Sequence, residues 1–435
     1  MKKTVHQAYK ETLTYLYTQL PMFQRVGQTA FKKDLTNIIV LCEKLENPHQ
    51  QFKSIHLAGT NGKGSTTHII GAALQASGLK VGYYTSPHYK DFRERIKING
   101  RLIPKRAVVD FVEQHKALFE AIRPSFFEIT VAMAFDYFAK EKVDVAVIET
   151  GLGGRLDSTN IIQPLLSVIT NISYDHQQFL GDTLPEIAGE KAGIIKHQTP
   201  VVIGETQQAT KAVFEAKAKV ENAPIIFADK HITLVEKDVQ PHHTVYFVKG
   251  RYFNFNHLKV NLLGQYQQKN ITTALQAIAQ LNKLAVFPTI TKAHIQKGFS
   301  ELKALTYFIG RWQKLGESPT ILCDSGHNEA GIDQILRQLS QMTFQQLHVV
   351  IGMVNDKDNA KILKKLPASA KYYFVKADIP RGLDAKVLKE RAKELGLKGR
   401  AYSSVKNGLK AAKISTTDKD LIFIGGSIFV VAEVI

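Results

Sequence analysis

The chain has very little cysteine: only Cys42 and Cys323, far apart and without the spacing of a metal site. That argues against a disulfide scaffold and for a reducing compartment, so a cytoplasmic protein is expected. No apolar run approaches the about 18–20 residues that span a bilayer. The start, Met-Lys-Lys followed by His-Gln-Ala-Tyr-Lys-Glu, lacks the apolar stretch of a secretory signal. No membrane partner is expected. Acidic residues are in deficit, with 39 Asp and Glu against 57 Lys and Arg and a formal net charge of +18. Yet there is no long Lys/Arg block and no nucleic-acid signature; basic residues are scattered, as at Lys211, Lys217 and Lys219. The excess charge therefore reads as steering of small anionic substrates, and no nucleic acid is expected as a partner. Internal repeats and low-complexity tracts are also missing.

A hydrophobic content of 44% and a charged content of 22% are those of a soluble globular protein. At 435 residues the chain is too long for one ordinary core. Two domains are expected, at 1–298 and 299–435. From Lys53 onward, short apolar runs alternate with amphipathic segments. Strands are predicted at 53–58, 80–85, 143–150, 165–170, 201–204 and 225–228, with a helix at 65–77 ended by Gly78. Such alternation indicates an α/β fold with a mainly parallel sheet covered by helices. The pattern restarts at 320–324, 347–352, 372–375 and 421–425, which predicts a smaller, Rossmann-like C-terminal α/β domain. The segment 246–263, richer in alternating and aromatic residues, is expected to form an antiparallel side sheet.

The stretch His56-Leu57-Ala58-Gly59-Thr60-Asn61-Gly62-Lys63-Gly64-Ser65-Thr66 departs from the common phosphate-loop spelling. Gly64 follows Lys63, so the hydroxyl arrives one residue late, at Ser65. The strand–glycine–helix context still fits a phosphate site, with backbone N–H groups turned inward, a helix start and a lysine to neutralise phosphate oxygens. A nucleoside triphosphate brings Mg²⁺, whose ligands are expected beyond neighbouring strand ends. Glu149 ends the run VDVAVIE and precedes GLGGRLDSTN, whose glycines suit a tight turn beside a ligand; it also reads as a strand-capping surface charge. Ser86, in Thr85-Ser86-Pro87-His88, is by itself an ordinary turn residue. His176 is either a metal ligand or polar loop surface. Lys191, in PEIAGEKAGII, is either a solvated helix lysine or one placed in a cleft. Arg93, Arg95 and Lys97 read either as attractors of an anionic tail or as a solvated face.

Taken in order, HLAGTNGKGST, TSPHYKDFRERI, FFEITVAMAFDYF, ETGLGGRLDSTN, DHQQFLGDTLPEIAGEKAGIIK, GQYQQKN, GRW, DSGHN, GMVNDKD and GGSIF closely resemble the folylpolyglutamate synthase/dihydrofolate synthase family, relatives of the Mur ligases. They span roughly residues 55 to 430 in the family's order. The resemblance implies an ATP-dependent ligase that adds L-glutamate to the γ-carboxyl of folates through an acyl phosphate, with dihydropteroate as a further acceptor in some members. It implies that Gly59, Thr60, Asn61, Gly62, Lys63, Gly64 and Ser65 hold the ATP phosphates. By the same resemblance Ser86, Glu149 and His176 match magnesium ligands, and Lys191 matches a lysine that the family carbamylates to hold a second Mg²⁺. Lys63, Glu149, His176 and Lys191 form the expected catalytic set, and Asn270, Arg311, Asp324 and His327 match positions that contact or adjoin the nucleotide. A monomer is expected.

Three departures from the family pattern stand out. Tyr266 occupies the place of a frequent His in GxHQxxN, Ile309 replaces the usual Pro before Gly310-Arg311, and Ser325-Gly326 with Glu329 alters the DGAHN segment. A Mur-type ligase for a nucleotide-sugar peptide is the nearest alternative; the GLGGRLDSTN and TSPHYKDFRERI stretches favour folate, and a third N-terminal domain is not evident in the roughly 50 residues before the phosphate loop. A P-loop switch or nucleic-acid motor accounts for Lys63 and Glu149 but leaves Lys191 and the second α/β domain unexplained.

Overall fold

The computed structural model describes residues 3–18, 34–355 and 359–435. Asp356, Lys357 and Asp358 of the GMVNDKD stretch lie outside them. The chain forms two compact units, 1–261 with 267–308, and 262–266 with 309–435. Helices Lys292–Ser300 and Leu302–Thr306 pack on helix Lys63–Ala76 and so stay with the larger unit, past the 298/299 division expected from sequence.

In the larger unit the strands are β1 (Lys53–Ala58), β2 (Val81–Tyr84), β3 (Ile96–Ile98), β4 (Arg101–Leu102), β5 (Val145–Glu149), β6 (Leu166–Ile169), β7 (Val201–Ile203) and β8 (Ile225–Phe227). They form one sheet in the order β4-β3-β2-β5-β1-β6-β7-β8. From β2 to β8 every pairing is parallel, and the short β3–β4 hairpin adds an antiparallel edge that the sequence pattern did not reveal. Central strands β1, β5 and β6 are almost wholly buried, which is why they read as unbroken apolar runs. Helix Phe126–Lys140 sends Phe135 and Phe138 into a core with Tyr84 and Ile148. Strand β1 lies between β5 and β6 although the chain leaves it toward β2. Ligand crevices form at such reversals of strand order, here at the carboxyl ends of β1, β2, β5 and β6.

A separate antiparallel sheet contains β9 (Ile232–Gln240), β10 (His243–Gly250) and β11 (Asn254–Val260). It begins well before the expected 246, because β9 is largely exposed and carries few buried apolar residues to mark it.

The smaller unit has strands β12 (Gln313–Gly316), β13 (Thr320–Cys323), β14 (Leu347–Ile351), β15 (Lys371–Phe374), β16 (Gly399–Ala401) and β17 (Leu421–Gly425), in the order β12-β13-β17-β14-β15-β16. All pairings are parallel except that of edge strand β12. Cys42 and Cys323 are free and buried, and among the described residues no helix is long and apolar enough to cross a membrane.

Candidate active site

After β1 the chain turns through Gly59 to Gly62 into helix Lys63–Ala76, with Gly62 as N-cap at φ 86° and no capping side-chain hydrogen bond. Helices starting at Phe126 and Leu184 instead carry full capping boxes from Ser125 and Thr183. An uncapped first turn keeps its backbone N–H groups for an anion and adds the positive end of the helix dipole. A Cβ on Gly62 would lie 2.1 Å from Asn270 Oδ1, so the turn needs glycine and the buried Asn270 sits directly against it. Lys63 Nζ donates to the carbonyls of Gly59 (2.9 Å) and Thr60 (3.3 Å), holding the ammonium over the loop. Ser65 is buried in the same first turn.

The segment after β6 braces this loop. Thr60 N–H donates to Asn171 O at 2.8 Å, and Asn61 N–H to Asn171 Oδ1 at 3.1 Å. Thr170 Oγ1 donates to Asn61 O at 2.6 Å, while Ser173 N–H donates to Thr60 Oγ1 at 3.0 Å. The brace was not foreseen, because it exists only once β1 and β6 lie side by side.

Glu149 closes β5 with 5% of its surface exposed. Its Oε2 accepts from Ser86 N–H at 3.4 Å and lies 3.5 Å from where a side chain on Gly64 would begin. Two of the expected metal ligands, Ser86 and Glu149, thus meet beside the start of the helix.

Lys191 lies in the last turn of helix Leu184–Ala192 and is 4% exposed. Burial and repulsion from Lys63 lower its pKa to about 7, against the opposing pull of Asp175, Asp157 and Glu190. The GLGGR loop is pressed onto this helix end. A Cβ on Gly154 would lie 2.8 Å from Glu190 O and 2.9 Å from Lys191 O, and Arg155 N–H donates to Glu190 O at 2.7 Å. His176 is half-buried in a left-handed conformation (φ 50°), with Nε2 3.7 Å from Asp175 Oδ1. A buried carboxylate, a hydroxyl, an imidazole and a lysine convertible to a carbamate are donors suited to Mg²⁺, so the residues present fit the ion.

In the smaller unit, Asp324 follows β13. Its Oδ2 accepts from Tyr266 Oη (2.6 Å) and Trp312 N–H (2.8 Å), and its Oδ1 accepts from Gly326 N–H (2.8 Å). Arg311 is half-buried between Gly310 (φ 76°) and Trp312 (φ 40°), and His327 is exposed with Nδ1 3.1 Å from Ser325 O. The departures from the family pattern interlock here. Tyr266 ties its segment to Asp324, and the Ser325 hydroxyl donates to Gly310 O at 3.2 Å, bracing a turn that lacks the usual proline.

The reading of Arg95 and Lys97 as tail attractors or a solvated face needs correction, whereas Arg93 is half-buried. Arg95 (3% exposed) and Lys97 (2% exposed) are buried. Arg95 Nε donates to His88 Nδ1 at 2.8 Å, Lys97 Nζ lies 2.7 Å from His68 Nε2, and Arg93 grips Asp91. Sequence reasoning missed His68, whose signal was its place four residues after Gly64 on a helix that starts at the loop.

Comparison with known proteins adds to this geometry. Residues 57–278 match the Mur ligase middle domain and residues 310–428 the Mur ligase, glutamate ligase domain. The chain is 34% identical over 433 residues to folylpolyglutamate synthase of Lacticaseibacillus casei, covering 98% of this chain and 97% of the relative. It is 31% identical over 437 residues to dihydrofolate synthase/folylpolyglutamate synthase of Bacillus subtilis, covering 98% of each. Among solved structures, Mycobacterium tuberculosis folylpolyglutamate synthase complexed with ADP and AMPPCP superposes with a TM-score of 0.87 at 28% identity, covering 99% of this chain and 98% of the other.

Proposed function

Because the chain belongs to the folylpolyglutamate synthase/dihydrofolate synthase family of Mur ligases, we propose that the loop edge of its larger unit drives ligation of L-glutamate to a folate. The chain is an ATP-dependent acid–amino-acid ligase. The observation that carries the assignment of its site is the gathering of Glu149, Ser86 and Asn270 around one uncapped helix start, with the buried Lys191 within electrostatic reach of Lys63.

In this reading the γ-carboxylate of the folate attacks the γ-phosphorus of ATP, ADP departs, and an acyl phosphate remains. The amino group of glutamate then attacks the acyl carbon, and the tetrahedral intermediate collapses to the amide and phosphate. Such transfers depend on positioning and charge neutralisation more than on a protein nucleophile. Gly59 to Ser65 cradle the phosphates, Lys63 neutralises their oxygens, and Asn270 holds the loop from behind. In the smaller unit, Arg311, Asp324 and His327 would contact the nucleotide, with Asp324 fixing the backbone N–H of Trp312 next to Arg311. Ser86, Glu149 and His176 would hold one Mg²⁺, and Lys191 as its carbamate, with His176, a second. When bound, the ions neutralise the charge that builds on the phosphoryl and acyl oxygens.

Carbamylation joins CO₂ to the neutral amine of Lys191 and releases a proton. Burial beside Lys63 keeps that amine available near neutral pH. All these residues lie on one chain, so a monomer suffices, and the free buried cysteines suit a cytoplasmic location. We propose dihydropteroate as a second acceptor, the pair of activities carried in the name of the Bacillus relative.

The test is ADP release with ATP, Mg²⁺ and glutamate, comparing a reduced folate with dihydropteroate. Release with both acceptors is expected. Release with the folate alone removes the second acceptor, and release with neither contradicts the ligase reading.

A further inference from the structure

Helix Leu184–Ala192 is only nine residues long, and Lys191 stands in its last turn, where carbonyls lack intrahelical partners and helices commonly fray. Yet Lys191 is buried. What holds this helix end is Asn160, 6% exposed, in the short helical turn Ser158–Ile161. Its Nδ2 donates to Arg155 O at 3.0 Å and to Gly193 O at 3.1 Å, so one amide group joins the GLGGR turn to the residue that caps the helix. The two backbones touch: a Cβ on Gly193 would lie 2.3 Å from Arg155 Cα. Beyond Gly193, Lys196 Nζ donates to Asn160 O at 2.8 Å, and the Ser167 hydroxyl on β6 donates to Ile194 O at 2.7 Å. From the outer side, Arg155 Nη2 donates to Glu190 Oε1 at 2.8 Å.

Asn160 commits its amide protons to these two carbonyls, while its Oδ1 meets no donor among the described residues. A buried amide with an unpaired oxygen costs stability, so packing alone gives little reason for asparagine here. Its paired donors are the reason: no other side chain of that size offers two N–H groups from one atom. Asp157 fixes the turn that carries it, accepting from Thr159 N–H at 3.0 Å and Leu152 N–H at 2.8 Å. The consequence falls on Lys191. A carbamate is an anion, and a buried anion persists only where positive charge faces it; Lys63 is within electrostatic reach of the Lys191 amine. If the last turn loosens, that amine moves to water and the advantage is lost.

We infer that Asn160 is a positioning residue for Lys191: by bridging Arg155 O and Gly193 O it locks the last turn of helix Leu184–Ala192 against the GLGGR turn and so holds the amine where its carbamate is stable. The Arg155–Glu190 ion pair, more exposed, is a second and weaker hold. The inference rests on the proposed carbamylation of Lys191, in which CO₂ from bicarbonate bonds to the amine nitrogen and a proton leaves.

The experiment is carbon-13 NMR of the full chain with Mg²⁺ and labelled bicarbonate, titrated at fixed pH and well below the unfolding temperature. It compares wild type, Asn160→Ala, Arg155→Ala and Lys191→Ala, the last identifying the carbamate signal by its loss. Asn160→Ala should need about tenfold more bicarbonate for half occupancy, the scale of a lost buried hydrogen bond. Arg155→Ala should need about twofold more, as for an exposed ion pair. Turnover of Asn160→Ala should fall at low bicarbonate and return as the carbamate fills, with the KM for ATP unchanged. A residue that served stability alone would lower the unfolding temperature and leave half occupancy where it was. Wild-type half occupancy in both variants therefore overturns the inference while the carbamate stands. Turnover that stays low in fully carbamylated Asn160→Ala overturns it too. If Asn160→Ala does not fold, Arg155→Ala decides alone: a shift supports the inference and no shift overturns it. A wild-type chain with no carbamate signal, or a signal that survives Lys191→Ala, contradicts the reading of Lys191 and the inference with it.

Discussion

After β1 the larger unit turns through glycines into a helix that no side chain caps. After β13 the smaller unit turns through Asp324, whose carboxylate is taken up by Tyr266, Trp312 and Gly326. Both turns sit at the carboxyl edge of a parallel sheet, the edge where ligands bind. The first leaves its helix start without a side-chain cap and buries ionisable groups nearby: Glu149, Lys97 and Lys191, the two lysines with pKa values lowered to about 7 by burial. The second uses its charged group to tie backbone segments together. An uncapped helix start with buried charge suits chemistry on a phosphate, and a closed network suits the rigid presentation of Arg311.

Substitutions should separate the two turns. At the first, Lys63→Ala and Glu149→Gln are expected to lower kcat by at least about 10²–10³-fold with little change in thermal unfolding, as for a lost electrostatic contact to the reacting phosphoryl group. Near-normal turnover in either variant breaks the assignment of chemistry to this edge. Lys191→Ala is expected to lose activity on a similar scale, about 10²-fold or more, and to regain part of it on addition of short carboxylic acids. Mass spectrometry of the wild type under native conditions with bicarbonate should add one CO₂ to Lys191. Full activity of Lys191→Ala without added acid contradicts the carbamate.

At the second turn the expected effects are on stability. Asp324→Ala leaves its former donors without their charged acceptor and should destabilise the smaller unit by about 2–4 kcal/mol, read from denaturant unfolding. Tyr266→Phe removes one neutral donor and should cost about 1 kcal/mol with kcat nearly unchanged. A large kcat loss in Tyr266→Phe would move this network from support into chemistry and blur the contrast.

How far the sequence disclosed these two edges differs by residue. The loop around Gly62 was legible because its requirement is local: a strand, a glycine turn and a helix start appear in order along the chain. Buried strands such as β5 and β17 were legible as apolar runs. The brace from Thr170 to Ser173 was not, since it depends on β1 and β6 pairing across more than 100 intervening residues. Lys97 was misread because a lysine between isoleucines in a strand ordinarily points to solvent; here its edge of the sheet is covered and the side chain turns inward to His68. Strand β9, mostly exposed, and the short edge strands β4, β12 and β16 lacked the apolar content that marks buried ones. The division between the units was displaced because helices Lys292–Ser300 and Leu302–Thr306 look like the start of something new in sequence, yet pack on the phosphate-loop helix.

The central claim, that the larger unit activates a folate carboxylate as an acyl phosphate, is tested most directly by isotope transfer. A reduced folate carrying oxygen-18 in its γ-carboxylate is turned over with ATP and glutamate, and the released phosphate is analysed by mass spectrometry. Passage through an acyl phosphate moves one labelled oxygen into each phosphate released. Phosphate free of label, formed together with the glutamylated product, contradicts the account.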